Sequence, residues 1–161
     1  MGKKNGGIRS LSNIALIDNN IYVYHYLGYE PVKHLFTQLL NDGFEIAMSS
    51  VVAMEFLSYE KIETNEAIRH KRYGYIQTST LYNVDFEIAE KAAELRRKCK
   101  TETGKTLKAG DALIAATAIV KGMTLFSNND KDFVRLQKWG LNYVNPIQDP
   151  EDLQTFIHKL L

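Results

Sequence analysis

The 161-residue chain has one cysteine, Cys99, so no disulfide can form within it. Cys99 falls inside an apolar helical pattern, which reads as a packed and inert thiol. Such sparse cysteine use suits a reducing compartment. No run approaches the ~20 apolar residues of a membrane span. The basic, glycine-rich start from Met1 to Gly7 lacks the apolar stretch of a signal peptide and the Ser or Thr that a myristoylation signal carries at position 6. An excess of charge of one sign is also missing, since 20 Lys and Arg stand against 19 Asp and Glu. A protein that grips nucleic acid through a broad basic face carries more positive charge, so any claim on nucleic acid has to rest on a local site. There is no GxGxxG or Walker A sequence and no serine in a nucleophile elbow. His25, His34, His70 and His158 are scattered without metal-ligand spacing. No repeat, low-complexity stretch or linker divides the chain. The expectation is a cytosolic protein with a flexible tail over residues 1–12 and one domain over residues 13–161.

What is present is a core-forming composition, 45% apolar with a mean hydropathy of −0.27. Short buried-strand patterns alternate with helical ones, which specifies an α/β domain around a mostly parallel central sheet flanked by helices. Ile14 to Ile17 is an apolar run that stops at Asp18, and a helix from Asn20 to Leu27 ends at Gly28. Pro31 opens a second helix with Val32, Leu35, Phe36, Leu39 and Leu40 at helical spacing. Phe44 to Met48 reads as a strand, and Ser49 and Ser50 cap a helix carrying Val51 to Tyr59. Further helices are expected over 64–78, Phe86–Thr101, Ala109–Lys121 and Asp132–Lys138, and from Pro150 onward. Strands are expected at Leu81–Val84, Met123–Ser127 and Asn142–Val144. The basic turn Arg69–Arg72 and the run Arg96 to Lys98 read as solvated faces. Trp139 and the tyrosines read as core and rim, with Tyr22, Tyr24 and Tyr59 as candidates for stacking on bases.

Four acids occupy unusual places. Asp18 ends a buried strand, where open parallel sheets bind ligands, although it also suits the cap of the following helix. Glu55 interrupts the apolar run Val51 to Leu57, with no Arg or Lys near it in sequence. Asp111 opens a helix that is apolar nearly all round, so its carboxylate lies in a cleft or serves as a cap. The fourth acid comes from the segment Ser127 to Phe133, where either Asp130 or Asp132 suits. Two carboxylates brought to ~4 Å cost roughly 4 kcal/mol at an effective dielectric of ~20. Three or four together require a divalent cation or retained protons. Oxygen ligands favour Mg²⁺ or Mn²⁺, and such ions support hydrolysis of phosphodiesters. Lys105 and Lys108, just before Asp111, are candidates for binding phosphate.

These residues also resemble a known family. Ile17-Asp18-Asn19-Asn20 is similar to the strand-Asp-x-Asn opening of PIN domains, and Ser49 to Phe56 to their Ser-containing second motif with its Glu. Gly110 to Ala118 is the most specific block, followed at the family's spacing by Leu125 to Phe133. The resemblance runs from residue 14 to about 147. It implies a PIN-like fold and an endoribonuclease with a metal site at Asp18, Glu55, Asp111 and Asp132. It also implies that Asn20, Ser127 and Asn129 shape that site and place water. In style the chain resembles the VapC toxins, which cleave RNA, are silenced by a cognate antitoxin and are commonly homodimers. An antitoxin segment carrying Arg or Lys would plug so acidic a cleft. The sequence departs from the family at Asn19 and Ser127, where threonine is common, and Asp130 adds an acid that competes with Asp132. Three other readings stand beside the toxin: an RNA-processing PIN nuclease, a metal-dependent phosphatase or phosphotransferase with Asp18 as nucleophile, and a silent partner-binding domain.

Overall fold

A computed structural model describes residues 13–161, so the expected tail over 1–12 lies outside the described residues. Strand β1 (Ile14–Ile17) leads through helices α1 (Asn19–Leu27) and α2 (Glu30–Asn41) to β2 (Glu45–Ser49). Helix α3 (Ser50–Leu57), a 3₁₀ turn (Glu60–Glu63) and α4 (Glu66–Thr78) lead to β3 (Thr80–Tyr82). Then α5 (Phe86–Thr103) and α6 (Ala109–Lys121) return the chain to β4 (Thr124–Phe126). A single-turn α7 (Asp130–Phe133) runs into a second 3₁₀ segment (Val134–Trp139), and β5 (Asn142–Val144) and α8 (Pro150–Leu160) complete the fold.

The five strands pair in the order β3-β2-β1-β4-β5, all parallel. Register is set by the buried runs, with Leu16 opposite Ala47 on one side and Leu125 on the other. Ala15, Leu16 and Ile17 are fully buried, as a central strand covered on both faces requires. The chain moves outward from β1 to β3 and then crosses back to the other side of β1. The order therefore reverses between β1 and β4, and open α/β sheets bind ligands beyond the strand ends at such a switch point.

Local chemistry fixes the helix starts. Ser49 Oγ accepts from Val51 N at 3.1 Å, and Asn65, Asp85 and Asp149 accept from the third residue beyond them. Pro31 sits in the first turn of α2, where it has no amide to waste. Gly28 ends α1 at φ 88°, a left-handed conformation that a side chain would strain. Cys99 is buried and free, as expected.

Two expectations need correction. The helix near 132–138 starts earlier, at Asp130, and tightens to 3₁₀ geometry from Val134. Arg72 is not on a solvated face, being only 8% exposed. Its guanidinium lies 4.4–4.7 Å from the ring centres of Tyr59, Phe56 and Tyr26 and donates to Phe56 O at 2.7 Å. The aromatic residues that receive it are on other elements, so its own helix pattern could not reveal them. Among the described residues, no helix is long and apolar enough to cross a membrane.

Candidate active site

The switch point between β1 and β4 is occupied by polar side chains that the sheet brings to one edge. Asp18 follows β1 and is 5% exposed. Its backbone N–H donates to Phe126 O at 3.0 Å, so the β1–β4 ladder itself fixes its position. Oδ1 accepts from Asn19 N at 2.8 Å, and Oδ2 accepts from Ser127 Oγ at 2.6 Å and from Asn20 Nδ2 at 3.4 Å. Asp18 thus caps α1 and also faces the cluster, so the two alternatives read from the sequence coexist. Ser127, fully buried after β4, accepts from Asn20 Nδ2 at 3.2 Å and from Asn129 N at 3.1 Å. Asn20 Oδ1 in turn accepts from Asn128 N at 3.2 Å. These bonds tie the start of α1 to the loop after β4.

Glu55, on α3, is half-buried. Loss of solvent raises the pKa of its carboxyl, and the charge of Asp18 raises it further. Asp18 is also pushed up by burial, while its bonds from Ser127 and Asn19 pull in the opposite direction. Asp111, in the first turn of α6, is pushed up to about 7. Burial is the largest cause, followed by a hydrogen bond with Asp132 and by the charges of Asp132, Asp18 and Glu55. Asp132 accepts from Asn129 Nδ2 at 3.0 Å and lies 3.7 Å from Arg135 Nη2. Asp111 and Asp132 thus share a hydrogen bond, and Asp18 and Glu55 lie near enough for their charges to act on Asp111.

Asp130 is turned elsewhere: its Oδ1 accepts from Tyr143 Oη at 2.7 Å and Asn145 Nδ2 at 3.0 Å, beside β5. Of the two alternatives for the fourth acid, Asp132 is the one hydrogen-bonded to Asp111.

Among the described residues, no three His, Cys, Asp or Glu side chains already form a group that could hold a metal ion. The donor set nevertheless suits a hard divalent cation. It is all oxygen, it is partly or fully withdrawn from water, and Asp18, Glu55 and Asp111 have no Lys or Arg within 4 Å among the described residues. Carboxyls with raised pKa and no cationic partner are the groups that a metal ion stabilises most.

Lys105 and Lys108 are exposed and line a cleft of about 660 Å³ together with Asn129, Lys131, Asp132 and Arg135. Tyr22 is withdrawn from any role in stacking on bases, since it is 1% exposed and donates to Ala47 O at 3.2 Å. Tyr59 lies against Arg72. Two contributors escape a reading of the sequence alone. Gly110 lies against Glu55, where an added Cβ would sit 3.3 Å from Oε1, and only the fold shows that approach. Arg135 pairs with Asp132 at a spacing of three residues, a signal that helix periodicity offers.

A buried Asp at the end of the central strand, a Glu on α3, an Asp opening α6 and an Asp beyond β4 lie at one end of an all-parallel sheet. The chain belongs to the PIN-domain family, whose model matches residues 15–138. It is 32% identical over 120 residues to ribonuclease VapC19 of Mycobacterium tuberculosis, covering 74% of this chain and 92% of that one. A toxin–antitoxin complex from Klebsiella pneumoniae contains a chain of TM-score 0.63 and 26% identity, matched over 84% of this chain and 99% of that one. DNA-bound VapBC from Salmonella typhimurium, at 20% identity, shares the fold with a TM-score of 0.69 over 83% and 98% of the two chains.

Proposed function

We propose that this chain is a divalent-metal-dependent endoribonuclease and the toxin of a VapBC-type pair, acting in the cytoplasm. The observation that carries the reading is the buried Asp18, held by Ser127 and Asn20 at the β1–β4 switch point, with Glu55, Asp111 and Asp132 beside it and no Lys or Arg within 4 Å of Asp18, Glu55 or Asp111 among the described residues. Residues 13–161 form the nuclease unit. Asp18, Glu55 and Asp111 would hold Mg²⁺ or Mn²⁺, with Asp132 completing the set. When bound there, a divalent ion would supply positive charge to activate water and to stabilise the leaving oxygen.

The protein's part is positional. Ser127 and Asn20 hold the Asp18 carboxylate in one orientation, and Asn129 does the same for Asp132. Asp132 and Asn129 would place the attacking water, and Lys105 and Lys108 would meet phosphate. The related complexes favour a cognate antitoxin as partner; the homodimer expected as the working form rests on the resemblance to VapC toxins. A basic antitoxin segment entering the acidic cleft would silence it by charge.

The phosphatase reading is disfavoured by Asn20, which stands two residues after Asp18 where that chemistry uses a second acid, and which donates to Asp18 Oδ2 at 3.4 Å. The deciding experiment is cleavage of a mixed RNA pool by wild type and Asp111→Asn, each with Mn²⁺, Mg²⁺ or EDTA. Cutting that needs metal and disappears in the mutant is the expected result. Cutting that survives EDTA, or a trapped aspartyl-phosphate on Asp18, would overturn it. Growth arrest on expression, relieved by a co-expressed cognate antitoxin, separates the toxin from an RNA-processing nuclease.

A further inference from the structure

An acidic cluster repels a polyanion, so the substrate has to be held by cations near it. The cleft of about 660 Å³ beside Asp132 supplies them from two separate parts of the chain. Lys105 and Lys108 come from the segment between α5 and α6, whereas Lys131 and Arg135 come from α7 and the 3₁₀ segment after it. Elsewhere among the described residues, Lys33, Lys91, Lys98, Lys121 and Lys138 are each paired with a carboxylate, and Lys61, Lys71, Lys100 and Lys159, which are not, are scattered over four different elements. Lys105, Lys108 and Lys131 have no acid within 4 Å among the described residues, and all three are exposed. Uncompensated cations converging on one cleft are a feature that a chain of nearly zero net charge would not produce by excess alone.

The lining also shows what kind of ligand the cleft suits. Thr103 and Thr106 add hydroxyls, and no aromatic residue lines the wall. Single-stranded nucleic acid read through its bases needs aromatic platforms, whereas a backbone needs cations and hydroxyls. The volume is that of a small-ligand pocket, enough for one or two nucleotides. Asn129 and Asp132 belong both to this wall and to the acid cluster, so a strand lying in the cleft leads directly to the reacting bond.

We propose that this cleft binds the sugar–phosphate backbone of the RNA beside the scissile bond, and that Lys131 and Arg135 join Lys105 and Lys108 in that role. The hold is independent of sequence, so target selectivity resides elsewhere on the protein. This rests on the nuclease reading above. An acidic protein segment is the other occupant such a cleft admits. RNA is favoured because the cleft opens onto the acids.

The test is binding of labelled single-stranded RNAs of different sequence to the uncleaving Asp111→Asn protein across a salt series. Removing one cation that neutralises a phosphate lowers the slope of log affinity against log salt by about 0.7. Lys105→Gln with Lys131→Gln is expected to lower it by about 1.4, equally for every RNA. Arg69→Gln with Lys71→Gln, on α4, is expected to leave it unchanged. An unchanged slope in the cleft pair, an equal fall in the α4 pair, or a weakening confined to certain sequences would overturn the proposal. So would loss of antitoxin binding with RNA binding intact. Hydrolysis of bis(p-nitrophenyl) phosphate by Mn²⁺-loaded wild type reports on the nuclease reading separately. If it occurs while the slope stays unchanged, only the cleft assignment falls. If wild type cleaves neither the diester nor RNA, the nuclease reading falls and the cleft assignment falls with it.

Discussion

Replacing Asp111 by asparagine probes the electrostatics of the cluster with almost no change of shape. In the folded metal-free protein the Asp111 carboxyl titrates at about 7, against an ordinary 3.8. The unfolded chain therefore holds fewer protons than the folded one between these values, and stability falls as pH rises through that window. Below pH ~4 both forms are protonated and the penalty is absent; above pH ~7 it is complete. At 1.36 kcal/mol per pH unit the gap corresponds to about 4 kcal/mol. Asp111 is only half-buried, and solvent screening reduces this to about 2 kcal/mol. Asparagine carries no charge and can still donate to Asp132. Metal-free Asp111→Asn is therefore expected to melt about 4–8 °C above wild type at pH 8 and level with it at pH 4. Adding Mn²⁺ should raise the melting temperature of wild type and narrow the gap, because only wild type has its full ligand set. Scanning calorimetry across pH, with and without metal, measures all of this. A mutant less stable than wild type at pH 8, or a gain that does not depend on pH, would refute the account of the cluster.

Three further outcomes are expected. Asp132→Asn should weaken Mn²⁺ binding about tenfold or more by calorimetry, whereas Asp130→Asn should leave it within about twofold, since its partners are Tyr143 and Asn145. Gly110→Ala should leave the melting temperature equal or higher, because alanine favours the helix by up to about 1 kcal/mol. It should nevertheless weaken metal binding several-fold, because its Cβ crowds Glu55 Oε1 at 3.3 Å; a fall in stability with unchanged metal affinity would contradict this. Arg72→Ala should cost about 2–3 kcal/mol in denaturant titrations, since the guanidinium packs on Tyr26, Phe56 and Tyr59 and makes a charged hydrogen bond. Arg72→Lys should recover little of it, since an ammonium lacks the planar stacking surface.

The strands and long helices were legible because their signals are local. The apolar run ending at Asp18, the caps at Ser49 and Asp149 and the glycine after α1 each act within a few residues. The acids were legible for the opposite reason: each broke a local pattern, and the family spacing linked them. What the sequence could not carry was pairing across the fold. Nothing near Arg72 announces Tyr26, Phe56 and Tyr59, and nothing near Gly110 announces Glu55. The choice between Asp130 and Asp132 also turned on partners in β5, which lie beyond the reach of helix or strand periodicity.

The position of β1 at the centre of the sheet has a consequence for the chain as it is made. Its first edge can pair with β2 early, but its other edge stays bare until β4 arrives, and Asp18 lacks its Ser127 partner 109 residues later in the sequence. At ~5–20 residues per second, translation takes roughly 5–20 s to supply that partner. Over that interval the nascent polypeptide carries Asp18 and then Glu55 and Asp111 without the segment that orders them. The catalyst therefore comes into being late in synthesis, which gives the cell that makes it a built-in delay before any RNA is at risk.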